Sequence, residues 1–239
     1  MSTPFFKFKQ FTIRHDRSSM KVGTDGVLLG AWCHLPLADA SQDTKALDVG
    51  TGSGLIALML AQRFPHTNVD AIDIDEASLG QAHENVEASP FSTRIHLLKM
   101  DFRNINQNFN KYNLIVSNPP FYKEDTLSGI AARDAARHTT SLPFETLIEH
   151  ASELLKDSGH FSVIIPIGEA SGFISLCAFH KLYLKRRTDV RSSDRKPFKR
   201  TLLEFGKSIQ ASEMSTLTLQ DAPNQRSPEY HELTKNFYI

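Results

Sequence analysis

The chain has 239 residues, 40% of them hydrophobic and 23% charged, which supplies one large core and excludes a disordered chain. No apolar run approaches the roughly 20 residues needed to span a bilayer, and Lys7 and Lys9 break up an N-terminal stretch that has no small-residue cleavage site, so neither a membrane anchor nor a signal peptide is expected. Two distant cysteines, Cys33 and Cys177, exclude a disulfide framework and a zinc cluster and point to a reduced, cytoplasmic compartment.

The opening 44 residues hold a turn and then a short helix in KVGTDGVLLGAW (21–32). From residue 45 strand and helix signals alternate. KALDV (45–49) reads as a strand, LIALMLAQRF (55–64) as a helix after a glycine-rich turn, and NVDAIDI (68–74) as a strand. EASLGQAHENVEAS (76–89) is an amphipathic helix with Glu76 in its first turn. RIHLLKM (94–100) and YNLIVS (112–117) are further strands. Pro143 opens a helix over 143–156 that Gly159 is expected to stop. HFSVIIP (160–166) is an apolar strand, 168–179 a weaker helix, and KLYLKRRTDV and RTLLEF two strands around a basic loop. This order predicts one α/β domain over 1–239: an N-terminal extension (1–44), a doubly wound, seven-stranded, mostly parallel sheet with an antiparallel C-terminal hairpin (45–206), and a polar, irregular tail (207–239).

Lys/Arg and Asp/Glu balance at 27 each, but the distribution is uneven. Residues 181–200 carry nine Lys/Arg against Asp189 and Asp194, and residues 1–23 carry five against Asp16, leaving the remainder at −11. Segregation of this kind fits a face for a polyanion on an acidic body, although a solvated basic strand produces the same pattern.

Asp48-Val-Gly50-Thr-Gly52-Ser-Gly54 lies between a strand and a helix, the nucleotide-binding corner of a doubly wound sheet. Its spacing is neither G-x-G-x-x-G nor a triphosphate loop, so the expected ligand is a nucleoside without a pyrophosphate. Asp73 ends the next strand, where a carboxylate can accept both ribose hydroxyls. Asp101 follows the third strand and can accept from an exocyclic amine, with Phe102 beside it. Asp73 or Asp75 can equally cap a helix, and Asp101 can serve a turn. Taken together, the set resembles the S-adenosylmethionine site of class I methyltransferases. That resemblance implies Asp48, Gly50 and Gly52 at the methionine part, Asp73 at the ribose, and Asp101 with Phe102 at the adenine.

Asn118-Pro119-Pro120-Phe121 follows YNLIVS. Two prolines stiffen the backbone, so the Asn118 side chain and the Pro119 carbonyl form a fixed pair of acceptors for an –NH2 group. Phe121 offers a face on which a base can stack. An adenine amine is a poor nucleophile because its lone pair is delocalised. Two acceptors can favour a pyramidal nitrogen and stabilise the positive charge that grows on it. The motif resembles the [DNS]-P-P-[YFW] signature of amino-group methyltransferases, whose acceptors include adenine, cytosine and protein glutamine, so it implies the reaction and leaves the substrate open.

KQFTIRHDRSSMKVGTDGVLLGAW (9–32) ahead of ALDVGTGSGLIALMLAQR, with IVSNPPFY, Arg137-His138-Thr139-Thr140 and RRTDV (186–190), resembles the bacterial tRNA(Val) adenine-37 N6-methyltransferases over nearly the whole chain. Phe121 stands where many of that family carry Tyr. The resemblance implies S-adenosylmethionine as cofactor, no metal, and tRNA as partner. It assigns Lys21, Thr24 and Asp25 to a segment that closes over the cofactor. It assigns Asn118, Pro119 and Phe121 to catalysis, Asn118 to the cofactor as well, and Pro120, Tyr122, Arg137, His138, Lys185, Arg186, Arg187, Lys199 and Arg200 to the RNA. A glutamine methyltransferase, a nucleotide-dependent oxidoreductase on the same fold, and an inactive RNA-binding module are the alternatives.

Overall fold

The computed structural model describes residues 4–18, 21–36, 44–105, 109–120, 142–223 and 225–239. Its centre is a nine-stranded sheet made of β3 (Thr44–Val49), β4 (Thr67–Asp73), β5 (Ile95–Lys99), β6 (Tyr112–Ser117), β7 (Leu155–Pro166), β8 (Tyr183–Ser193), β9 (Arg200–Gly206), β10 (Glu213–Ala222) and β11 (Gln225–Arg226), in the order β11-β10-β8-β9-β7-β6-β3-β4-β5. A separate two-stranded ribbon joins β1 (Phe5–Lys7) to β2 (Thr12–Arg14). The helices are α1 (Thr24–Trp32), α2 (Leu55–Arg63), α3 (Glu76–Glu87), α4 (Phe144–Leu154), α5 (Ala170–Phe179) and α6 (Pro228–Thr234). Among the described residues, no helix is long and apolar enough to cross a membrane.

Strand periodicity divides the interior into two layers. Ala46, Leu114 and Val116 face the core under α1 and α2, while Leu47, Val49 and Ile115 face the core under α4 and α5. The seven expected strands are present, with β8 and β9 antiparallel as foreseen. The sheet does not end there. β10 adds to β8 in parallel and β11 pairs back on β10, so the segment expected to be an irregular tail forms two further strands and a helix. Within β10 only Leu217 is buried, so the strand lacks the apolar run that would have marked it. The Ser227 hydroxyl caps α6, accepting from the amide of Tyr230 at 3.1 Å, with Pro228 in the first turn.

A second departure concerns Gly159. The α4 helix already ends at Leu154 and the chain enters β7 directly. Gly159 lies inside β7, beside an irregularity in the β6–β7 register. A Cβ there would stand 2.9 Å from the Tyr112 carbonyl oxygen, so the glycine permits close strand approach instead of stopping a helix.

Strand order reverses beside β3: β4 and β5 lie on one side of it, β6 and β7 on the other. The register pairs Val49 with Ser117, and the Ser117 hydroxyl donates to the Val49 carbonyl at 3.0 Å. The residues that follow, Gly50 and Asn118, therefore leave the sheet side by side at the switch point, where open α/β sheets bind ligands.

Candidate active site

A cavity of about 500 Å³ opens at this switch point, lined by Gly50, Gly52, Asp73, Asp101, Phe102, Asn118, Pro119 and Pro120 among others. Three strand ends and the glycine loop thus bring together the residues assigned to the cofactor at Gly50, Gly52, Asp73, Asp101 and Phe102 with Asn118, Pro119 and Pro120. Gly50, Gly52 and Gly54 all have positive φ, and a Cβ on Gly50 would meet nothing within 4 Å. The loop therefore leaves open space where a side chain would otherwise intrude.

Hydrogen bonds fix the loop to β4. The amides of Gly50 and Thr51 donate to the Ile72 carbonyl, each at 3.0 Å, and the Gly52 amide donates to Asp73 Oδ2 at 2.8 Å. Asp75, not Asp73, caps α3: its Oδ2 accepts from the Ser78 amide at 2.9 Å and from the Ser78 hydroxyl at 2.6 Å. Asp73 is left facing the cavity, where burial raises its pKa against the backbone amides of Asp75, Gly52 and Ile74, which lower it. Asp101 is held below the usual carboxylate range by the Arg103 guanidinium, which reaches both of its oxygens, with Nε at 2.9 Å from Oδ1 and Nη2 at 2.7 Å from Oδ2.

Asp48 occupies a different position from its neighbours. It is fully buried and is not among the cavity-lining residues. Its Oδ2 accepts from the Thr51 hydroxyl at 2.7 Å and the Ala57 amide at 3.1 Å, bracing the loop from below. Its Oδ1 is buried with no hydrogen-bond partner among the described residues. Burial, opposed by those two bonds, pushes the carboxyl up to about 7.

Sequence reasoning missed Ile74, Met100, Arg103, Ser117 and Leu142 as lining residues. Ile74 and Met100 could have been found, because each neighbours an acid singled out at a strand end. Leu142 reaches the cavity from the start of the next helical segment and carries no local signal. Phe121, Tyr122, Arg137 and His138 lie outside the described residues.

The basic residues divide. Lys21 and Thr24 are exposed and do not line the cavity. Asp25 accepts from Arg200 Nε at 2.7 Å, tying α1 to the start of β9. Arg186 lies over the Trp32 ring at 3.8 Å and donates to the Trp32 carbonyl and to buried Glu204. Arg187 forms a two-pronged pair with Asp189, and Lys185 donates to Ser208 and Gln210. These three bond within the fold because β8 has a strand on either side, so its basic side chains meet neighbours before solvent. Lys196 and Lys199 are exposed on the β8–β9 loop. That loop stands at the carboxyl rim, since Arg200 pairs with Pro166 at the end of β7.

Comparison with known proteins agrees with this geometry. The family model for the methyltransferase small domain matches residues 30–169. The tRNA1(Val) (adenine(37)-N6)-methyltransferase of Bacteroides thetaiotaomicron is 42% identical over 100% of this chain and 99% of its own. The chain belongs to that methyltransferase family. A second member, from Pectobacterium carotovorum, is also 42% identical, over 98% of this chain and 93% of its own. At the level of fold, the structure of a predicted O-methyltransferase from Agrobacterium tumefaciens superposes with a TM-score of 0.68 at 19% identity, covering 89% of this chain and 96% of that one. Among the described residues, no three His, Cys, Asp or Glu side chains cluster as metal ligands.

Proposed function

We propose that this chain methylates the exocyclic N6 amine of adenine-37 in the anticodon loop of tRNA(Val), with S-adenosylmethionine as donor. The observation that carries the reaction is the shared cavity: the glycine loop and Asp73 on one side of the switch point, Asn118 and Pro119 on the other. The substrate assignment is supported by full-length similarity to proteins of that name.

The residues present suit the cofactor. Open space above Gly50 admits the methionine part, and Asp48, buried beneath the loop, braces the backbone that borders it. Asp73 suits vicinal ribose hydroxyls, and the apolar Ile74, Met100 and Phe102 suit a purine ring. When bound, S-adenosylmethionine supplies an electrophilic methyl group. Asn118 Oδ1 and the Pro119 carbonyl accept the two amine hydrogens of adenine, favour a pyramidal nitrogen whose lone pair is uncoupled from the ring, and stabilise the charge that grows on it until one hydrogen leaves as a proton after transfer. Phe121, next in sequence, is assigned the stacking face. The target base lies in a loop, where a single-stranded nucleotide can be splayed out at small cost. Lys196, Lys199 and the neighbouring basic side chains of the β8–β9 loop are assigned to phosphates on the same rim.

The test is transfer of labelled methyl groups to tRNA lacking the modification, followed by nucleoside analysis. N6-methyladenine at one anticodon-loop position is expected. Asn118→Ala should reduce kcat by at least about 100-fold, the scale of losing a fixed transition-state acceptor, while cofactor affinity stays within about threefold. Transfer to a protein glutamine in place of tRNA would discard the RNA assignment and keep the chemistry.

A further inference from the structure

The α3 helix buries two amide side chains one turn apart, Gln81 and Asn85, at 0% and 2% exposure. Burying amides is unfavourable unless every polar atom finds a partner. Here the partners lie mostly in one remote stretch of chain, Arg14–Ser18, which continues from β2. Gln81 Oε1 accepts from the amides of Arg17 at 2.7 Å and Ser18 at 3.1 Å, and its Nε2 donates to Asp16 Oδ1 at 3.1 Å. Asn85 Oδ1 accepts from the Arg14 amide at 2.8 Å, and its Nδ2 donates to the carbonyls of Arg14 at 2.9 Å and Ser53 at 2.8 Å. Asn85 thus binds Arg14 through both its amide and carbonyl, as a neighbouring strand would, and binds the glycine loop with the same NH2 group.

This strap reaches the cofactor loop. Ser18 Oγ lies 3.8 Å from where a Cβ on Gly52 would stand and is buried without a partner among the described residues. At its other end α3 begins immediately after Asp73 and Asp75, and Asp73 bonds the Gly52 amide. One rigid helix therefore connects the cavity carboxylate, the glycine loop and the strap.

We infer that Gln81 and Asn85 are positioning residues that hold the Arg14–Ser18 strap across the glycine loop, so that strap closure and cofactor retention are coupled. The inference rests on the reading of the cavity as a cofactor site and does not depend on the methyl acceptor. Gln81→Met conserves side-chain volume and removes both acceptor contacts. It should raise the Kd for S-adenosylhomocysteine and the KM for S-adenosylmethionine about tenfold, the scale of one to two lost hydrogen bonds, with kcat at saturating cofactor within about twofold. The pair Gln81→Glu with Asp16→Asn exchanges donor and acceptor across the Gln81–Asp16 contact and keeps the strap amides bonded. It should return Kd to within about threefold of the wild type. In the wild type, saturating S-adenosylhomocysteine should slow hydrogen exchange at the Arg17 and Ser18 amides, a measurement that needs no variant. A lowered melting temperature with unchanged Kd and KM would reduce Gln81 to internal bracing and overturn the coupling, as would exchange at Arg17 and Ser18 indifferent to the ligand. Because the Kd and hydrogen-exchange readouts use the cofactor product without tRNA, they separate failure of the coupling from failure of the tRNA assignment.

Discussion

Asp48 gives the most quantitative prediction. The carboxylate is fully buried, accepts two hydrogen bonds through Oδ2, and leaves Oδ1 without a partner among the described residues. Burial raises its pKa from 3.8 to about 7. Because the folded value is the higher one, the fold favours the protonated form, and the associated stability is fully present below pH 3.8 and lost as pH rises to about 7. Between pH 5 and pH 8 this single group should cost the wild type about 2–3 kcal/mol. Asp48→Asn keeps an acceptor for Thr51 and Ala57 and cannot ionise. Any fixed penalty from its NH2 group is independent of pH, so the informative quantity is the difference between the two pH profiles. Urea denaturation of both proteins from pH 5 to pH 8 should show the variant gaining steadily on the wild type and levelling off above pH 7. Other titrating groups are common to both chains and cancel. Parallel profiles would refute the reasoning, because they would mean that Asp48 titrates in its ordinary range and that Oδ1 is solvated or paired.

Asp73→Ala removes the cavity carboxylate and the acceptor of the Gly52 amide. It should weaken S-adenosylhomocysteine binding by at least about tenfold in calorimetry, and unchanged affinity would take Asp73 out of the ribose site. Lys196→Glu with Lys199→Glu should weaken tRNA binding and lower the slope of log Kd against log salt by about 1–2, leaving cofactor affinity unaltered; an unchanged slope would move the RNA face elsewhere. Tyr112→Phe breaks the buried bond from the Tyr112 hydroxyl to Asp70 Oδ2 at 2.7 Å. It should cost about 1–3 kcal/mol in chemical denaturation with methyl transfer unchanged, and loss of transfer would tie that distant pair to the site.

The central strands that build the cavity, β3, β4 and β6, were legible because each is largely buried and so appears as an apolar run. YNLIVS coincides with β6, every residue of which is buried. The strands that extend the sheet were not. β10 contacts solvent along most of its length, and its place is set by pairing with β8, a relation between residues such as Leu217 and Val190 that no local pattern encodes. The same distinction separates Gly52 from Gly159. The first sits in a motif whose spacing has a chemical reason. The second needs its missing side chain because of the Tyr112 carbonyl on the neighbouring strand.

At the site, residue type and strand-end position located the carboxylates but not their division of labour. Asp48, Asp73, Asp75 and Asp101 are equivalent in sequence terms, each an acid at or just past a strand end. Geometry gives them four different jobs: a buried brace, a cavity acceptor, a helix cap and a partner of Arg103. The basic stretch shows the opposite failure. Nine Lys/Arg in 181–200 look like one polyanion face, yet Arg186 and Arg187 bond within the fold, to Glu204 and Asp189. Counting charge overestimated that face because an arginine beside an acid on the same or the adjacent strand satisfies the fold before it reaches solvent. What is left for a phosphate backbone is the loop end of the hairpin, which the sheet register sets on the same rim as Asn118. A chain that had to bring an anticodon-loop adenine to Asn118 would need cations on that rim, and the middle of β8 would serve it less well.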